Sequence, residues 1–595
     1  MKDAATLEEG RRLHREGRVE AALRAYRSIL KRDPRNFDAL CLCAMAQVQL
    51  GKPAEAARSI QRALDLRPDS ADAHNAQGNV MMALKRHERA VRCYESTLAI
   101  DPNFADGHLN LGNALTALGR HEDAARAYER AVALRPDWAE AHVSLGVALS
   151  RNGCLAEALR CFEMALSLRP GFVVALYNRG NTLKKLNRHE EAIASYREAL
   201  SIKPDFAEAH TNIGTSLEVL HRHAEAVESY RKALAIRPGY AVALTNLSNA
   251  LVDSGSPEEG IEGYRAALAI DPGSIEAGVN LSHTLLSIER FDEGWRAFER
   301  RIDDVEFLNH LRRTEGFATP RGSVARDIRG QRLLLQAEQG LGDEIMFASM
   351  VPDAVAAAEH VALVAEPRLT GLFRRSFPAC RVTARADGGK GAIIEEPAGV
   401  TRRFFLGSLG RLFRSRIEDF PGTPYLVADP VRRRQMRRRL DALGSGRKIG
   451  IMWRGGIGGP REGDRSLGLR DLAPLLAEGI HWISLNHLPT AAEEVSRFRD
   501  AAGMAIHHWH EIVASRDYDD TAALLGELDA VVSVTCTVAH CAAALGKETH
   551  VLVPPSPEWR YGRVGPSIPW YNSMRLYRRT DDWPLDAVAR ALGIA

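Results

Sequence analysis

The chain has 595 residues, 45% hydrophobic and 26% charged, with 79 Lys and Arg against 76 Asp and Glu for a formal net charge of +3. That length exceeds what one hydrophobic core serves, so two to four domains are expected, and the near-balanced charge excludes a global pull toward nucleic acid. The eight cysteines are scattered rather than framed as disulfides, the first stretch, MKDAATLEEGRRLHREG, is charged throughout, and no uncharged run approaches the ~18 residues that cross a bilayer. A cytoplasmic chain with no membrane span and no nucleic-acid partner is the expectation.

The first half is periodic. Proline recurs at 34-residue steps from Pro34 through Pro68, Pro102, Pro136, Pro170, Pro204 and Pro238 to Pro272. In the same register an aromatic recurs at Tyr26, Tyr94, Tyr128, Phe162, Tyr196, Tyr230, Tyr264 and Phe298, with Ile60 as the aliphatic substitute. Gly10, Gly78, Gly112, Gly146, Gly180 and Gly214 share one position, which Ser248 and Ser282 keep small. A missing side chain there lets the two helices of a hairpin approach closely. This pattern resembles the tetratricopeptide repeat, with nine units over residues 3–308, and implies an α-helical superhelix stabilised by stacking, whose concave face binds a partner.

Two polar rows are predicted along that face. One position of each first helix carries Asn110, Ser144, Asn178, Asn212, Asn246 and Asn280; three residues later stand Asn79, Asn113, Asn181, Thr215 and Asn249. Residues at i and i+3 share a helical face, and an amide offers donors and an acceptor together, which suits the backbone of an extended acceptor polypeptide. The bland alternative is that these amides satisfy neighbouring helix groups. Asn is a poor helix former, so its repeated mid-helix placement asks for a reason. The rows look like the asparagine ladder of the nucleocytoplasmic O-GlcNAc transferases.

Apolar periodicity stops after FDEGWRAFERRIDDVEFL, and residues 309–330 read as a linker. RLLLQAEQGLGDEIMFASMV and HVALVAEPRLTGLFRRSF then alternate strand and helix, which predicts a first Rossmann-like domain at 331–430. After VRRRQMRRRLDALGSGRK a second, at 431–595, carries the strands KIGIMW, HWISL, MAIHH, DAVVSV and THVLV. Two consecutive units of this kind make the α/β GT-B architecture the leading candidate, with its ligand between the domains at the strands' carboxyl ends. The arginine run reads as a solvated inter-domain helix rather than a nucleic-acid patch.

The chemistry-bearing stretches are LLLQAEQGLGDEIMFAS and VVSVTCTVAHCAAALGKETHVLVPPSPEWRYG. Together they resemble bacterial proteins that join tetratricopeptide repeats to a glycosyltransferase domain related to the ADP-heptose heptosyltransferases. In layout the chain is similar to the alphaproteobacterial flagellin glycosyltransferases. That resemblance implies transfer of a nonulosonic acid such as pseudaminic acid from its CMP ester to Ser or Thr of flagellin. It also maps the general base to Asp343, in the loop of Gly340 and Gly342; the competing reading of Asp343 is a helix N-cap.

At the turn after DAVVSV, the first N–H groups of a helix form an anion site by construction, and Thr535 and Thr537 can add hydroxyl donors. Cys536, His540 and Cys541 are close in sequence, yet they diverge in direction; they read as pocket for Cys536 and His540 and core for Cys541, with no metal site expected. His540 is either a donor contact or a structural hydrogen bond. Many relatives have Asp-Thr where this chain has Thr535-Cys536, which either suits a donor with its own carboxylate or marks an inactive pseudoenzyme. Trp453 with Arg454 and Trp559 with Arg560 follow strands and are candidates for the donor's anionic groups. No cofactor beyond the nucleotide-activated sugar is expected. Two other readings remain: a non-catalytic scaffold, and a transferase directed at glycan or lipid acceptors.

Overall fold

The computed structural model describes residues 2–303, 328–338, 340–385, 399–455, 465–515 and 517–594. Most of the expected linker at 309–330, and the glycine loop after Gly455, lie outside them.

Eighteen described helices between Lys2 and Phe298 form nine hairpins. A first helix of 13 residues such as Ala105–Ala117 is followed by one of 14 such as His121–Leu134. The periodic glycine explains the hairpin. A Cβ on Gly112 would lie 2.5 Å from Cε1 of Tyr128, the aromatic of the same hairpin, and the pairs Gly78 with Tyr94 and Gly180 with Tyr196 repeat this. Where Ile60 replaces the aromatic, the opposing position is Ala44, so the volumes compensate. Within residues 1–246 each first helix from Phe37–Gln49 to Val173–Lys185 also touches the next repeat's first helix, which places the first helices on the tighter face of the stack. Between repeats, Arg135, Arg169 and Arg237 lie over Trp138, Phe172 and Tyr240 at 4.0, 4.6 and 4.6 Å.

The chain parts into two compact units, residues 1–246 and 247–595. The break therefore falls within the repeats and not at 308 where the repeat pattern ends. Packing in the second unit supplies the reason. Trp295, buried, donates its indole N–H to the carbonyl of Arg414 at 2.8 Å and meets Phe298, Phe347, Trp559 and Trp570 edge-on. Arg301 forks onto Glu338 at 2.9 and 2.8 Å, and the Gly407 N–H donates to the same carboxylate.

This second unit holds two wholly parallel sheets. The strands are β1 (Arg332–Gln336), β2 (His360–Ala365), β3 (Arg381–Ala384), β4 (Arg402–Phe405), β5 (Arg447–Met452), β6 (Ile480–Ser484), β7 (Ile506–His508), β8 (Ala530–Val534), β9 (Thr549–Val553) and β10 (Met574–Arg578). Their orders are β3-β2-β1-β4 and β10-β9-β8-β5-β6-β7. The central strands are continuous apolar runs, as burial on both faces requires. The sequence hid β3, β4 and β10 because they are edge strands and carry arginine. The arginine run forms the helix Pro430–Asp441, and it is paired rather than simply solvated: Arg432 binds Asp517, Arg433 and Arg437 bind Glu527, and Arg439 binds Glu511, each at 2.6–2.7 Å. No helix among the described residues is long and apolar enough to cross a membrane.

Candidate functional site

Two eight-residue helices, Leu341–Ala348 after β1 and Thr537–Ala544 after β8, start side by side. Gly342 permits the approach, since a Cβ there would lie 3.4 Å from the His540 ring and 3.5 Å from Oγ1 of Thr537. Gly340 is the N-cap residue of the first helix and Cys536 of the second, both extended in backbone.

Asp343 stands in the first turn and makes no capping bond to its own helix, which removes the N-cap reading. Its Oδ1 instead meets Nη2 of Arg560 at 2.6 Å, with the side chains only 13% and 17% exposed. Burial pushes the Asp343 carboxyl above its ordinary value, Arg560 opposes that rise, and Glu558 adds to it. Burial works against the Arg560 charge too, and Asp343 and Glu558 outweigh it. Glu558 pairs with Arg465 at 2.6 Å. Gly455, three residues past the end of β5, lies close to two backbone carbonyls: a Cβ there would lie 2.7 Å from that of Arg465 and 3.2 Å from that of Thr535.

Around this cluster, Oγ1 of Thr535, Oε2 of Glu558 and Nε of Arg560 are buried without a hydrogen-bond partner among the described residues, and Oδ1 of Asp343 has its ion pair but no aligned hydrogen bond among them. Buried polar atoms are almost always partnered, so several such atoms around one ion pair make this cluster the candidate place for a polar ligand.

The other predicted donor residues divide. Thr537 is half-buried beside Gly342 and is near the pair. His540 is enclosed: its Nε2 meets the Tyr561 hydroxyl at 3.0 Å and its Nδ1 the Tyr571 hydroxyl at 3.3 Å. With both nitrogens occupied and its pKa pushed down to about 3 by burial and then by Arg560, it is a neutral structural residue rather than a phosphate contact. Trp453 has no exposed face; it donates to Glu494 at 2.7 Å, the same carboxylate that receives Arg454 at 3.1 Å. Trp559 is likewise buried among aromatic rings, so neither indole is placed to stack on a ligand. Cys536 lies 3.2 Å from the Ser533 hydroxyl, and Cys541 is core, as expected. Glu558 and Arg465 were missed; Glu558 stands two residues before Arg560, inside SPEWRYG.

The amide rows are wired internally. The hydroxyls of Tyr94, Tyr128, Tyr196 and Tyr264 donate to the carbonyl oxygens of Asn79, Asn113, Asn181 and Asn249 at 2.6–2.8 Å. Asn212 donates to Asn181 and Asn280 to Asn249, each at 3.0 Å, while Asn110 donates to Asn75 at 3.0 Å and Asn178 to the Val174 carbonyl at 2.8 Å. Asn246 lies half-buried on the helix Ala241–Asp253. The second-row oxygens are thus committed to the repeat's own tyrosines, and the ladder is in large part a scaffold network.

Known proteins resemble parts of this chain. Tetratricopeptide-repeat profiles match residues 13–80, 139–172, 173–206 and 207–240, and a TPR repeat profile matches 78–119 and 112–153. Protein FlbA of Caulobacter vibrioides (strain ATCC 19089 / CIP 103742 / CB 15) is 30% identical over 305 residues, 49% of this chain; the chain spans about half, 50%, of that relative's length. Among solved structures, the Cut9–Hcn1 hetero-tetramer of APC/C matches 45% of this chain and 52% of its own at 20% identity and TM-score 0.36. YrrB, described as a TPR protein with an unusual peptide-binding site, matches 32% of this chain and 97% of its own at 22% identity and TM-score 0.29. With the hairpins and their glycine–aromatic packing, the repeat-profile matches identify residues 13–240 as a run of tetratricopeptide repeats.

Proposed function

We propose that the chain is a metal-independent protein O-glycosyltransferase in which the repeats capture an acceptor polypeptide and the two parallel-sheet halves form a GT-B module. One observation carries the reading: a buried carboxylate, Asp343, paired with Arg560 beside polar atoms that have no partner among the described residues, at two adjacent helix starts. A carboxylate whose pKa is raised is suited to general-base work. The donor's anionic group takes the guanidinium of Arg560, the Thr535 hydroxyl and the N–H groups before Val538. A Ser or Thr oxygen of the acceptor attacks the anomeric carbon, its proton passes to Asp343, and the bond to the nucleotide phosphate breaks with its electron pair leaving on the phosphate oxygen.

The resemblance in layout supports a CMP-nonulosonate donor and flagellin as acceptor. It also supports cytoplasmic action, before the acceptor is exported. The test is intact-mass analysis of flagellin from cells carrying Asp343→Ala. Loss of the glycan mass is expected, with a fall of about 10²-fold or more in transfer by purified protein; unchanged mass would refute the base and the acceptor together. The scaffold reading has its own support, because the Asp343–Arg560 pair is already neutralised and because the heptosyltransferase resemblance implies an Asp where this chain has Thr535. It requires that CMP-pseudaminic acid with flagellin releases no CMP. A transferase for glycan or lipid acceptors requires transfer to survive removal of residues 1–246.

A further inference from the structure

The second polar row of the repeats has a last member that the amide pattern conceals. Counting 34 residues on from Asn249 reaches His283, on the helix Ile275–Ser287, three residues after Asn280. Its imidazole stacks on Trp559, with centroids 6.1 Å apart and planes 18° from parallel. Trp559 also reaches the candidate site. Trp559 stacks at 6.3 Å on Phe347, which is one turn along from Asp343 on the same helix, and the next residue after Trp559 is Arg560. The segment is bolted at its far end too: the Arg563 N–H donates to the Ser287 carbonyl at 3.2 Å, and its Nη1 donates to the Val252 carbonyl at 2.6 Å. Residues 559–563 are therefore held by the last two repeats on one side and by the Asp343 helix on the other.

We propose that His283 and Trp559 are positioning residues through which the last helical repeat holds Arg560 against Asp343, making that repeat a structural part of the site. The proposal rests on the reading of Asp343 as base. Its chemistry is stacking between neutral planes. Burial, with Arg560 and Arg301 nearby, pushes the His283 pKa down to about 4, so the ring is uncharged at neutral pH and does not repel the guanidinium. A neutral amide is what this register carries in Asn79, Asn113, Asn181 and Asn249, and a planar amide at 283 would stack in the same way.

Without the stack, the 559–563 segment loosens and Arg560 spends less time on the carboxylate. Among the described residues the groups that bear on Asp343 are then Glu558, with its partner Arg465, and Tyr571, whose hydroxyl meets the uncharged His540. Arg560 is the one that lowers the Asp343 pKa, so weakening it moves that pKa up.

The experiment uses the 595-residue chain, with CMP-pseudaminic acid and flagellin, in His283→Ala and His283→Gln. In His283→Ala, kcat falls roughly tenfold or more, as misplacement of a catalytic pair does, and its acid limb moves to higher pH; His283→Gln restores most of both. Hydrogen exchange at residues 559–563 rises in His283→Ala and not in His283→Gln. Unchanged exchange in His283→Ala overturns the positioning role whether or not the protein transfers sugar, and equal losses in both variants overturn the stacking. Wild-type protein that transfers nothing, while His283→Ala raises exchange, refutes the transferase reading and leaves the positioning geometry supported.

Discussion

Glu344 shows how one residue's surroundings set its protonation. It follows Asp343, is 2% exposed, and its Oε1 accepts from the Glu366 N–H at 2.8 Å while Oε2 is buried without a partner among the described residues. Burial lifts its pKa from an ordinary 4.5 to about 7. A carboxyl whose folded pKa is raised stabilises the fold below its unfolded pKa and loses that contribution as pH rises through the folded value. Between pH 4.5 and 7 the wild type therefore loses on the order of 3 kcal/mol through this group. Glu344→Gln keeps the acceptor and removes the charge, so it should be more stable than wild type at pH 8 by a few kcal/mol and near-equal at pH 4. Denaturant unfolding at the two pH values checks this; equal differences at both would contradict it.

At the level of elements, the repeat hairpin depends on a matched pair of volumes. Gly112→Ala forces a methyl to within 2.5 Å of the Tyr128 ring, and because the ring is buried, overpacking should cost about 1–3 kcal/mol, reduced by alanine's better helix propensity of about 1. The second repeat already holds the compensated version, Ala44 facing Ile60. The double variant Gly112→Ala, Tyr128→Ile should recover packing that the single change loses, although the Tyr128 hydroxyl bond to Asn113 is lost with it. A double-mutant cycle in urea would show the coupling, and additive effects would deny it. The same hydroxyl bonds explain why asparagine recurs mid-helix, where its propensity argues against it. The period exposed the rows at once, whereas their partners, fifteen residues later on the second helix, are visible only when the hairpin is closed.

For the whole molecule, the boundary between compact units has a consequence for fragments. A fragment of residues 247–595 keeps Trp295 in its aromatic cluster and Arg301 on Glu338. A fragment starting at 309, where the repeat pattern ends, strips that cluster and leaves Glu338 buried without its cation. Breaking a buried pair from one side costs about 3–5 kcal/mol. The longer fragment should melt cooperatively and the shorter should not, as calorimetry would report; a sharp transition for 309–595 would place the division at the end of the repeats instead.

The sequence by itself determined the elements whose pattern is local: nine hairpins from a 34-residue period, the central parallel strands from their apolar runs, the close helix approaches from glycine. Such signals survive because each is a few residues reporting on their own immediate neighbours. Only the tertiary structure decided which side chains meet. It set Asp343 on Arg560, 217 residues apart in sequence, enclosed Trp453 and Trp559, gave both nitrogens of His540 tyrosine partners, brought in Glu558 and Arg465, and joined the last repeats to the sheets. Burial and charge pairing are properties of packing between distant segments, and no window along the chain contains both partners.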